Sequence, residues 1–497
     1  MSDITRNDFV RIWTIENGAG PSNAPEYQGC FKLGDPAWGF GDVTKIECPD
    51  PNQYGKFVEV GEIPGQIERP TFSLMGRYPM SVSDLLRLAR KGCGLDVHAH
   101  VGQCRDPRDF NAGWEKKLVF PAARITSFGL ENFSALASDE RAAVNETADL
   151  SAREFYELAR LSFAEKAGGT VARQIISIDV CDTPNCGGDC GAASDGCQRV
   201  FATQIGASAT PGTLPSVVYS DDGGDTWAST SIDTLFSNED PADSECVGEY
   251  FVVVANTPCS LHYAVSDDII AGTETWTEVN TGFVLTGCPN AIWSVSPRDT
   301  WIVGNGGYIY KSTDVTAGVT VQDAGVATTQ NLNDVHALDA LSVLAVGASN
   351  AVVYTTNGGE TWQAVTGPAA GVTLNTCWMW SKTTWLVGTA GGALWYTADS
   401  GANWTQIGLP ITATAITQIT FVNETVGYLA ATIAGPAGRI LRTTDAGHSW
   451  YVLPEGAGSI PANDQINDLA VCEDNENVVF GGGLGDNGTD GIIIKAA

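Results

Sequence analysis

The chain has 497 residues, with 58 acidic and 27 basic side chains and a formal net charge of −31 at pH 7. This length predicts at least two domains, and the charge excludes adhesive binding of nucleic acids or anionic lipids, whose phosphates it would repel. No apolar run approaches the roughly 18 residues of a membrane-spanning helix, so we expect no membrane insertion. The polar start lacks the apolar region of a secretory signal, which predicts synthesis in a cytoplasm.

The first 170 residues lack any repeat and mix strand patterns with helix signals. The Gly-, Pro- and Asn-rich opening forty residues predict an extended arm. A capping box at residues 81–84 predicts a helix over 85–91, and a second box at 151–154 predicts one over 155–163, although those residues could also form a strand. Predicted strands cover residues 56–60, 70–75, 96–101, 117–120 and 124–127. The fold class predicted for residues 1–170 is an α+β sandwich with an N-terminal arm.

This element order, with residues 61–70 leading into the capped helix, resembles the major tail (tube) proteins of tailed bacteriophages. The resemblance implies homo-hexameric rings that stack around a DNA channel and contact other virion proteins. An acidic lumen would let DNA pass without adhering to it.

Four cysteines lie within seventeen residues of a Gly/Asp-rich loop: Cys181, Cys186, Cys190 and Cys197. Such a cluster permits a zinc site, but the tight Cys-x-x-Cys pair of zinc knuckles is missing. Two disulfides in a particle that matures outside the cell, or free thiols, are the alternatives. We favour disulfides and expect no metal. Because the chain shows no phosphate-binding loop, nucleophile elbow or His-Glu-x-x-His motif, we also expect no cofactor.

The remainder of the chain carries a repeat of the form Ser/Thr-x-Asp-x-Gly-x-Thr-Trp. Residues 220–227 show it first, and 355–362, 397–404 and 443–450 repeat it. A fifth copy is stretched between Ser266 and Trp276, and a sixth, at residues 312–320, has lost its tryptophan. The period of about 42 to 49 residues is that of a four-stranded propeller blade. The box residues are Ser220, Asp222, Gly224, Trp227, Asp268, Trp276, Asp314, Asn357, Gly359, Trp362, Asp399, Gly401, Trp404, Asp445, Gly447 and Trp450.

Each box residue type has a structural reason. The aspartate or asparagine accepts hydrogen bonds from N–H groups of its own turn, the glycine supplies a backbone angle that a Cβ disfavours, and the tryptophan buries a large ring between sheets. The last repeat ends one strand short, and we predict that residues 171–180 supply that strand. A mainly β fold results, with a seven-bladed propeller over residues 171–497; a misread first unit would make it six or eight blades.

These repeats resemble the BNR/Asp-box family, which includes sialidases and the propeller of photosystem-II assembly and stability factors. A sialidase would imply an arginine triad with a tyrosine nucleophile and a glutamate. Beyond the strand predicted to close the ring, the propeller offers only Arg199, Arg298, Arg439 and Arg442, and no Arg-Ile-Pro signature, so we predict that the chain is not an enzyme. Tryptophans outside the boxes either pack between blades or stack on sugars; they are Trp293, Trp301, Trp378, Trp380, Trp385 and Trp395.

The leading functional hypothesis is a virion structural protein, a tail tube subunit whose propeller decorates the exterior and contacts a host-surface glycan or receptor. The first alternative is a receptor-binding or adhesin protein of a phage particle. The second is an intracellular assembly factor of the photosystem-II type. A glycosidase is the last hypothesis, and activity on fluorogenic sugars would identify it.

Overall fold

The structure is a computed structural model that describes the chain in part. Its described residues are 9–16, 26–33, 44–49, 57–63, 71–77, 95–101, 116–131, 145–151, 156–159, 161, 163–165 and 173–496, the last range without 182–198, 206–215, 233–240, 257–258, 280, 285, 436, 454–463, 473–474 and 486–489. The chain divides into two compact units, residues 1–18 with 23–160 and residues 19–22 with 161–497.

All regular elements described in the first unit are strands. They are β1 (Phe9–Glu16), β2 (Glu26–Leu33), β3 (Thr44–Pro49), β4 (Phe57–Ile63), β5 (Thr71–Arg77), β6 (Leu95–Val101), β7 (Lys116–Glu131), β8 (Asn145–Ser151) and β9 (Tyr156–Ala159). Seven of them form one sheet in the order β6-β1-β2-β5-β8-β7-β9, and β3 and β4 form a separate two-stranded hairpin. An additional pairing of β6 with β7 joins the two sides of the large sheet, so six strands form a closed cycle.

The long strand β7 closes this cycle because its two halves have different partners. Its first half pairs with β6 from Lys116 to Ala123, and its second half pairs with β8 from Arg124 to Glu131. The first half also pairs with β9 on its other edge. Closure leaves few unpaired strand edges, which are costly in a sheet.

The predicted strands of this unit are confirmed as β4 to β7, but two other predictions are wrong. Residues 9–16 and 26–33 are not an extended arm, because β1 pairs with both β2 and β6 inside the large sheet. Residues 156–159 form the strand β9 and not the predicted helix, as the alternative allowed, because β9 is hydrogen-bonded to β7 and long-range pairing outweighs the local capping signal. The helix predicted over 85–91 lies outside the described residues, so the α+β class stays a prediction.

The second unit is a propeller of seven four-stranded antiparallel sheets. Blade one contains β11 (Ile175–Val180), β12 (Val200–Gln204), β13 (Ser216–Ser220) and β14 (Ala228–Ser231). Blade two contains β15 (Pro241–Val247), β16 (Tyr250–Asn256), β17 (Cys259–Val265) and β18 (Thr277–Val279), and blade three contains β19 (Pro289–Ser296), β20 (Asp299–Gly304), β21 (Tyr308–Ser312) and β22 (Thr320–Ala324).

The remaining blades follow the same strand order. Blade four contains β23 (Leu332–Ala337), β24 (Val343–Gly347), β25 (Ala351–Thr355) and β26 (Gln363–Thr366), and blade five contains β27 (Leu374–Met379), β28 (Trp385–Thr389), β29 (Leu394–Thr397) and β30 (Thr405–Ile407). Blade six contains β31 (Ala413–Phe421), β32 (Gly427–Ile433), β33 (Ala437–Thr443) and β34 (Tyr451–Val452), and blade seven contains β35 (Gln465–Cys472), β36 (Asn475–Leu484) and β37 (Gly491–Ala496) with β10 (Phe163–Glu165).

Short helical segments complete the described elements. The helix α1 (Ser266–Ala271) follows β17, and two 3₁₀ turns, Asn305–Gly307 and Ala348–Asn350, follow β20 and β24. No described helix has the length and apolar character that crossing a bilayer requires.

The core of the propeller lies between adjacent sheets. Most residues of the second strands are buried, and β24 and β28 are buried along their whole length. One cluster joins Trp301 and Val303 of blade three to Val335, Val343 and Ala345 of blade four. Such near-continuous apolar runs are typical of strands that are covered on both faces, and they hold successive blades together through hydrophobic burial.

The strand that completes blade seven is β10, so the prediction that residues 171–180 supply it is wrong. Phe163 to Glu165 pair with Ile494 to Ala496 on β37, whereas β11 is the inner strand of blade one. In both the prediction and the structure, a segment at the N-terminal end of the propeller closes the ring. The observed segment, β10, is shorter than the predicted one and lies earlier in the chain. The seven-blade count is confirmed.

Candidate functional site: the central channel

Four Asp boxes form the turn between the third and fourth strands of blades one, four, five and six. In blade five, Thr397 Oγ1 donates to Asp399 Oδ1 at 2.8 Å and accepts from the N–H of Gly401 at 3.0 Å, while Asp399 Oδ1 accepts from the N–H of Asn403 at 2.8 Å. The same bonds recur around Asp222, Asn357 and Asp445. These side chains therefore stabilise their own turns through local hydrogen bonds.

The box glycines and tryptophans also serve packing. Gly359 has a φ of +89°, and a Cβ there would lie 2.9 Å from the Trp301 ring of the preceding blade. Trp362 meets that same ring edge-to-face at a centroid distance of 5.8 Å, and Trp404 Nε1 donates to the Thr366 carbonyl of the preceding blade at 3.0 Å. The boxes therefore tie neighbouring blades together.

The two irregular copies have different conformations. Asp268 lies in α1, and among the described residues its side chain accepts none of the hydrogen bonds that characterise the four regular boxes. Trp276 is nevertheless buried against the core of blades one and two. Asp314 Oδ1 accepts from the N–H and the hydroxyl of Thr316, at 3.0 and 2.7 Å, in a shorter turn.

The inner strands of the seven blades place equivalent residues side by side around the channel. We call the ring of Ser177, Asp243, Ala291, Asp334, Thr376, Gln418 and Asp468 the lower ring, and the ring of Asp179, Glu245, Trp293, His336, Trp378, Thr420 and Ala470 the upper ring. Lower-ring side chains reach the next blade: Asp243 accepts from the N–H of Ile292 at 3.0 Å, and Asp334 accepts from that of Cys377 at 2.8 Å.

Partly buried carboxyl groups determine the electrostatic character of this channel. Burial raises the pKa of Asp334 to about 7. Burial, followed by repulsion from Asp468, raises the pKa of Asp243 well above its usual value. Burial also raises the pKa of Glu245, and the nearby Asp179, Asp243 and Asp468 carboxylates raise it further. Protons are therefore retained here at pH values where ordinary carboxyl groups are ionised.

The other side of the upper ring is aromatic. His336 lies between two tryptophans, with ring centroids 4.5 Å from Trp293 and 3.9 Å from Trp378, and Trp378 is 5.4 Å from Phe421. Burial lowers the pKa of His336 to about 3, and its Nδ1 accepts from the N–H of Met379 at 3.2 Å. The imidazole is thus neutral and belongs to the aromatic wall.

A cavity of about 450 Å³ lies between these two walls. Its lining comes from the inner strands of all seven blades and includes the acidic residues Asp179, Asp243, Glu245, Asp334 and Asp468. Of the tryptophans outside the boxes, Trp293 and Trp378 line the cavity, whereas Trp301 and Trp385 are fully buried between blades. The sequence does not distinguish the tryptophans that line the cavity from those that are buried between blades, because all of them occur in similar apolar strand patterns.

Two disulfides join the first three blades. Cys181, at the end of β11, is bonded to Cys246 of blade two, and Cys259 of blade two is bonded to Cys288 at the start of blade three. The partner of Cys181 therefore lies 65 residues away. The other loop cysteines, Cys186, Cys190 and Cys197, lie outside the described residues.

One group of possible metal ligands occurs within the described part of the chain, formed by the Asp179 carboxylate and the sulfurs of Cys181 and Cys246. Its ligand atoms lie within 4.8 Å of one another. Because the two sulfurs are bonded to each other, they are not thiolates in this form, and thiolates are the species that bind zinc.

The arginines named from the sequence do not meet at the channel. Arg199 forms an ion pair with Asp267, and Arg298 lies in the turn after β19. Arg442 is fully buried and donates to the Glu476 carbonyl at 2.7 Å and to Asn477 Oδ1 at 3.1 Å, while Arg439 donates to the Gly438 carbonyl. The residues that line the described cavity include none of these four.

The propeller repeat matches a known family over part of its length. Residues 318–470 match the family model described as the photosynthesis system II assembly factor YCF48. The match covers less than a third of the chain and includes all of blades four, five and six. Among curated proteins, none matches the sequence.

Several solved structures are similar to this chain. One titled "YCF48 bound to D1 peptide" has 14% identity, covers 68% of this chain and 97% of its own, and gives a TM-score of 0.48. YCF48 from Cyanidioschyzon merolae has 12% identity, 67% and 98% coverage and a TM-score of 0.48. Virginiamycin B lyase from Staphylococcus aureus has 13% identity, 68% and 99% coverage and a TM-score of 0.49. At these scores the similarities carry no argument about activity.

Proposed function

We propose that this chain is a non-enzymatic structural protein of a tailed-bacteriophage particle, a tube subunit that displays its propeller as a binding module. The observation that carries the proposal is the hairpin of β3 and β4, which forms a sheet of its own beside the closed cycle of six strands. An isolated two-stranded hairpin is marginally stable in water. A neighbouring subunit in a hexameric ring would provide additional packing for such a hairpin.

The disulfides support a location outside a reducing cytoplasm. Cys181–Cys246 and Cys259–Cys288 both lie in the propeller, and disulfides persist in oxidising surroundings such as a released virion. We propose synthesis in the host cytoplasm and final location in the virion tail, with the propeller contacting a host-surface glycan or receptor and with other virion proteins as partners. DNA would pass without adhering.

The proposal of a non-enzymatic role rests on the box residues and the arginines. The polar side chains of the four regular boxes form hydrogen bonds within their own turns. The arginines lie apart from one another in the propeller, at positions 199, 298, 439 and 442. A sialidase needs several arginines that converge on one carboxylate. Hydrolysis of a fluorogenic sialoside by the purified chain, above a heat-denatured control, would overturn this part of the proposal.

Electron microscopy and light scattering of the purified full chain test the assembly. We expect six-fold rings or tubes. Val58→Pro removes the N–H of a residue paired with Cys48, in the second pair from one end of the hairpin, and should abolish the rings. Val58→Thr keeps both the N–H and the β-branched shape, and should assemble normally. Compact trimers would favour an adhesin instead, and monomers at all concentrations would contradict assembly.

The second candidate is an assembly factor of the photosystem-II type, which the family match over residues 318–470 favours. One similar structure is titled as bound to a D1 peptide, so a peptide partner would be expected in that case. A chain that is monomeric and binds a peptide partner with its cysteines reduced would support this candidate over the virion role.

A further inference from the structure

The two disulfides of the propeller differ in how far their cysteines are covered. Cys259 and Cys288 are 5% and 7% exposed, so both ends of that bond are buried. Cys181 is also buried, at 4% exposed, but its partner Cys246 is only partly buried, and both line the cavity. Because thiol–disulfide exchange begins with the approach of a thiolate to one sulfur, the Cys181–Cys246 bond is the more accessible of the two.

The Cys181–Cys246 bond lies at a junction between blades that lacks another link. Where blade seven meets blade one, Asn467 Nδ2 donates to the Ile175 carbonyl at 2.6 Å. The equivalent residue of blade one is Ile176, whose apolar side chain cannot donate such a bond to blade two. Cys181 and Cys246 provide a covalent link at this junction instead, between residues 65 positions apart in the sequence.

Hydrogen bonds also join blades one and two beside the disulfide. Ser177 Oγ donates to the Ser244 carbonyl at 3.2 Å, and Thr203 Oγ1 donates to Ser244 Oγ at 3.0 Å. The N–H of Cys246 donates to the Asp179 carboxylate at 2.5 Å. None of these bonds uses a sulfur atom, so they persist when the disulfide is broken. Loss of the covalent link should therefore increase local opening of this junction and leave the ring folded.

We propose that Cys181–Cys246 is a redox switch of the propeller, which a dithiol reductant opens from the cavity and which controls how tightly blade one is held to blade two. Cys259–Cys288, buried at both ends, stays closed under the same conditions and keeps blade two linked to blade three. Since Cys181 and Cys246 line the cavity, the redox state of their bond acts directly on the cavity wall. The inference concerns the propeller alone and does not depend on the virion role.

The reaction is a two-step exchange with the dithiol. A thiolate of the reductant attacks Sγ of Cys246, the S–S bond breaks, and its electron pair leaves on Sγ of Cys181, which takes up a proton from water. The second thiolate of the reductant then attacks the sulfur of the reductant in the mixed disulfide. Cys246 is released as a thiolate and the reductant leaves as its own disulfide. Two electrons have passed from the reductant to the propeller.

Timed alkylation of the full chain tests which bond reacts. The oxidised protein is incubated with dithiothreitol, blocked at intervals with excess N-ethylmaleimide and cut into peptides for mass spectrometry. Under native conditions Cys181 and Cys246 should be alkylated faster than Cys259 and Cys288 by about tenfold or more. In a denaturing concentration of urea both bonds should react at similar rates, because unfolding exposes all four sulfurs.

Hydrogen exchange measures the effect on the junction. After selective reduction, peptides from β11 and β15 should exchange faster by about tenfold or more, and those from blades four and five should be unchanged. The double variant Cys181→Ser, Cys246→Ser should show the faster exchange without reductant and no further change with it. In the matched variant Cys259→Ser, Cys288→Ser, exchange at β11 should still respond to dithiothreitol.

Three outcomes would overturn the inference. Reduction of Cys259–Cys288 under native conditions as fast as Cys181–Cys246 would show that access from the cavity does not select the bond. Unchanged exchange at β11 and β15 after reduction would show that the bond does not hold the junction. Faster exchange in all seven blades would mean that the bond stabilises the ring as a whole. Alkylation and exchange of the original chain need no substitution, so they decide these points even if the serine variants do not fold.

Discussion

Asp334 lies on the inner strand of blade four and lines the cavity. Its two oxygens accept from the N–H groups of Val335 and Cys377, both at 2.8 Å. Burial outweighs these bonds and raises the pKa of this carboxyl group to about 7. In the unfolded chain the group ionises near pH 4. Between these values the folded protein therefore holds a proton that the unfolded chain has lost.

This difference sets the sign of the pH dependence. Because the folded state binds more protons, the free energy of unfolding should fall as the pH rises from about 4 to about 7, and the raised pKa values of Asp243, Glu245 and Asp468 act in the same direction. Asp334→Asn mimics the protonated form. At pH 8 this variant should be more stable than the original chain by on the order of 2 kcal/mol.

Urea denaturation at pH 5 and pH 8 measures this effect. The gain from Asp334→Asn should be present at pH 8 and largely absent at pH 5. Asp221→Asn, at an exposed position of the blade-one box, should leave the pH profile unchanged. A variant that is equally destabilised at both pH values would show that Asp334 is needed as an ionised acceptor.

The box residues could be predicted from the sequence because their hydrogen bonds are local. Asp399 and Asn403, for example, are four residues apart, so spacing and residue type suffice. The channel site could not be predicted in the same way, since Glu245 and Trp378 come together only when separate blades close into a ring. The sequence did contain one indication of this site. Asparagines recur with the blade period at positions 290, 333, 375 and 467, and each directly precedes a residue of the lower ring.

At the level of strands, two kinds of link join neighbouring blades near the channel. Side chains of blades three to seven donate to a main-chain carbonyl of the next blade, as Asn375 Nδ2 does to Ile416 at 2.9 Å. The other donors are Asn290, Asn333, Thr417 and Asn467. Blades one and two have Ile176 and Ala242 at this position. Those two junctions are the ones that carry the disulfides Cys181–Cys246 and Cys259–Cys288.

The two kinds of link should therefore act on different parts of the propeller. Replacing both Cys259 and Cys288 by serine should cost about 2–4 kcal/mol and increase hydrogen exchange in blades two and three. Asn375→Ala should cost about 1 kcal/mol and increase exchange in blades five and six. Mass spectrometry of exchanged peptides distinguishes these regions. If either variant increased exchange uniformly around the ring, the junctions would not be separate units.

The strands of the N-terminal unit show where sequence reasoning fails at this scale. The run from Phe9 to Ile15 alternates apolar and polar residues poorly, and its pairing partners on β6 lie more than eighty residues away. The β10 strand has only three residues and pairs with residues near position 495. Neither pairing leaves a local signal, because strand register is set by partners that are remote in the sequence.

For the molecule as a whole, ring closure by β10 makes a prediction about where the propeller begins. A chain of residues 161–497 retains the pairing of Phe163–Glu165 with Ile494–Ala496, whereas a chain of residues 171–497 leaves the edge of β37 unpaired. The shorter chain should lose about 2–3 kcal/mol from the missing hydrogen bonds and should self-associate through the open edge. Thermal unfolding and sedimentation of the two chains measure both effects.

A variant of the longer chain separates loss of pairing from loss of length. Ala164→Pro places a residue without an N–H in the middle of β10, opposite Lys495, and should reproduce the lower stability of the shorter chain. Ala164→Val keeps the N–H and suits a strand, so it should behave as the original does. Equal stability of the 161–497 and 171–497 chains would mean that the packing of β11 against β35 in their shared core holds the ring closed without the edge strand.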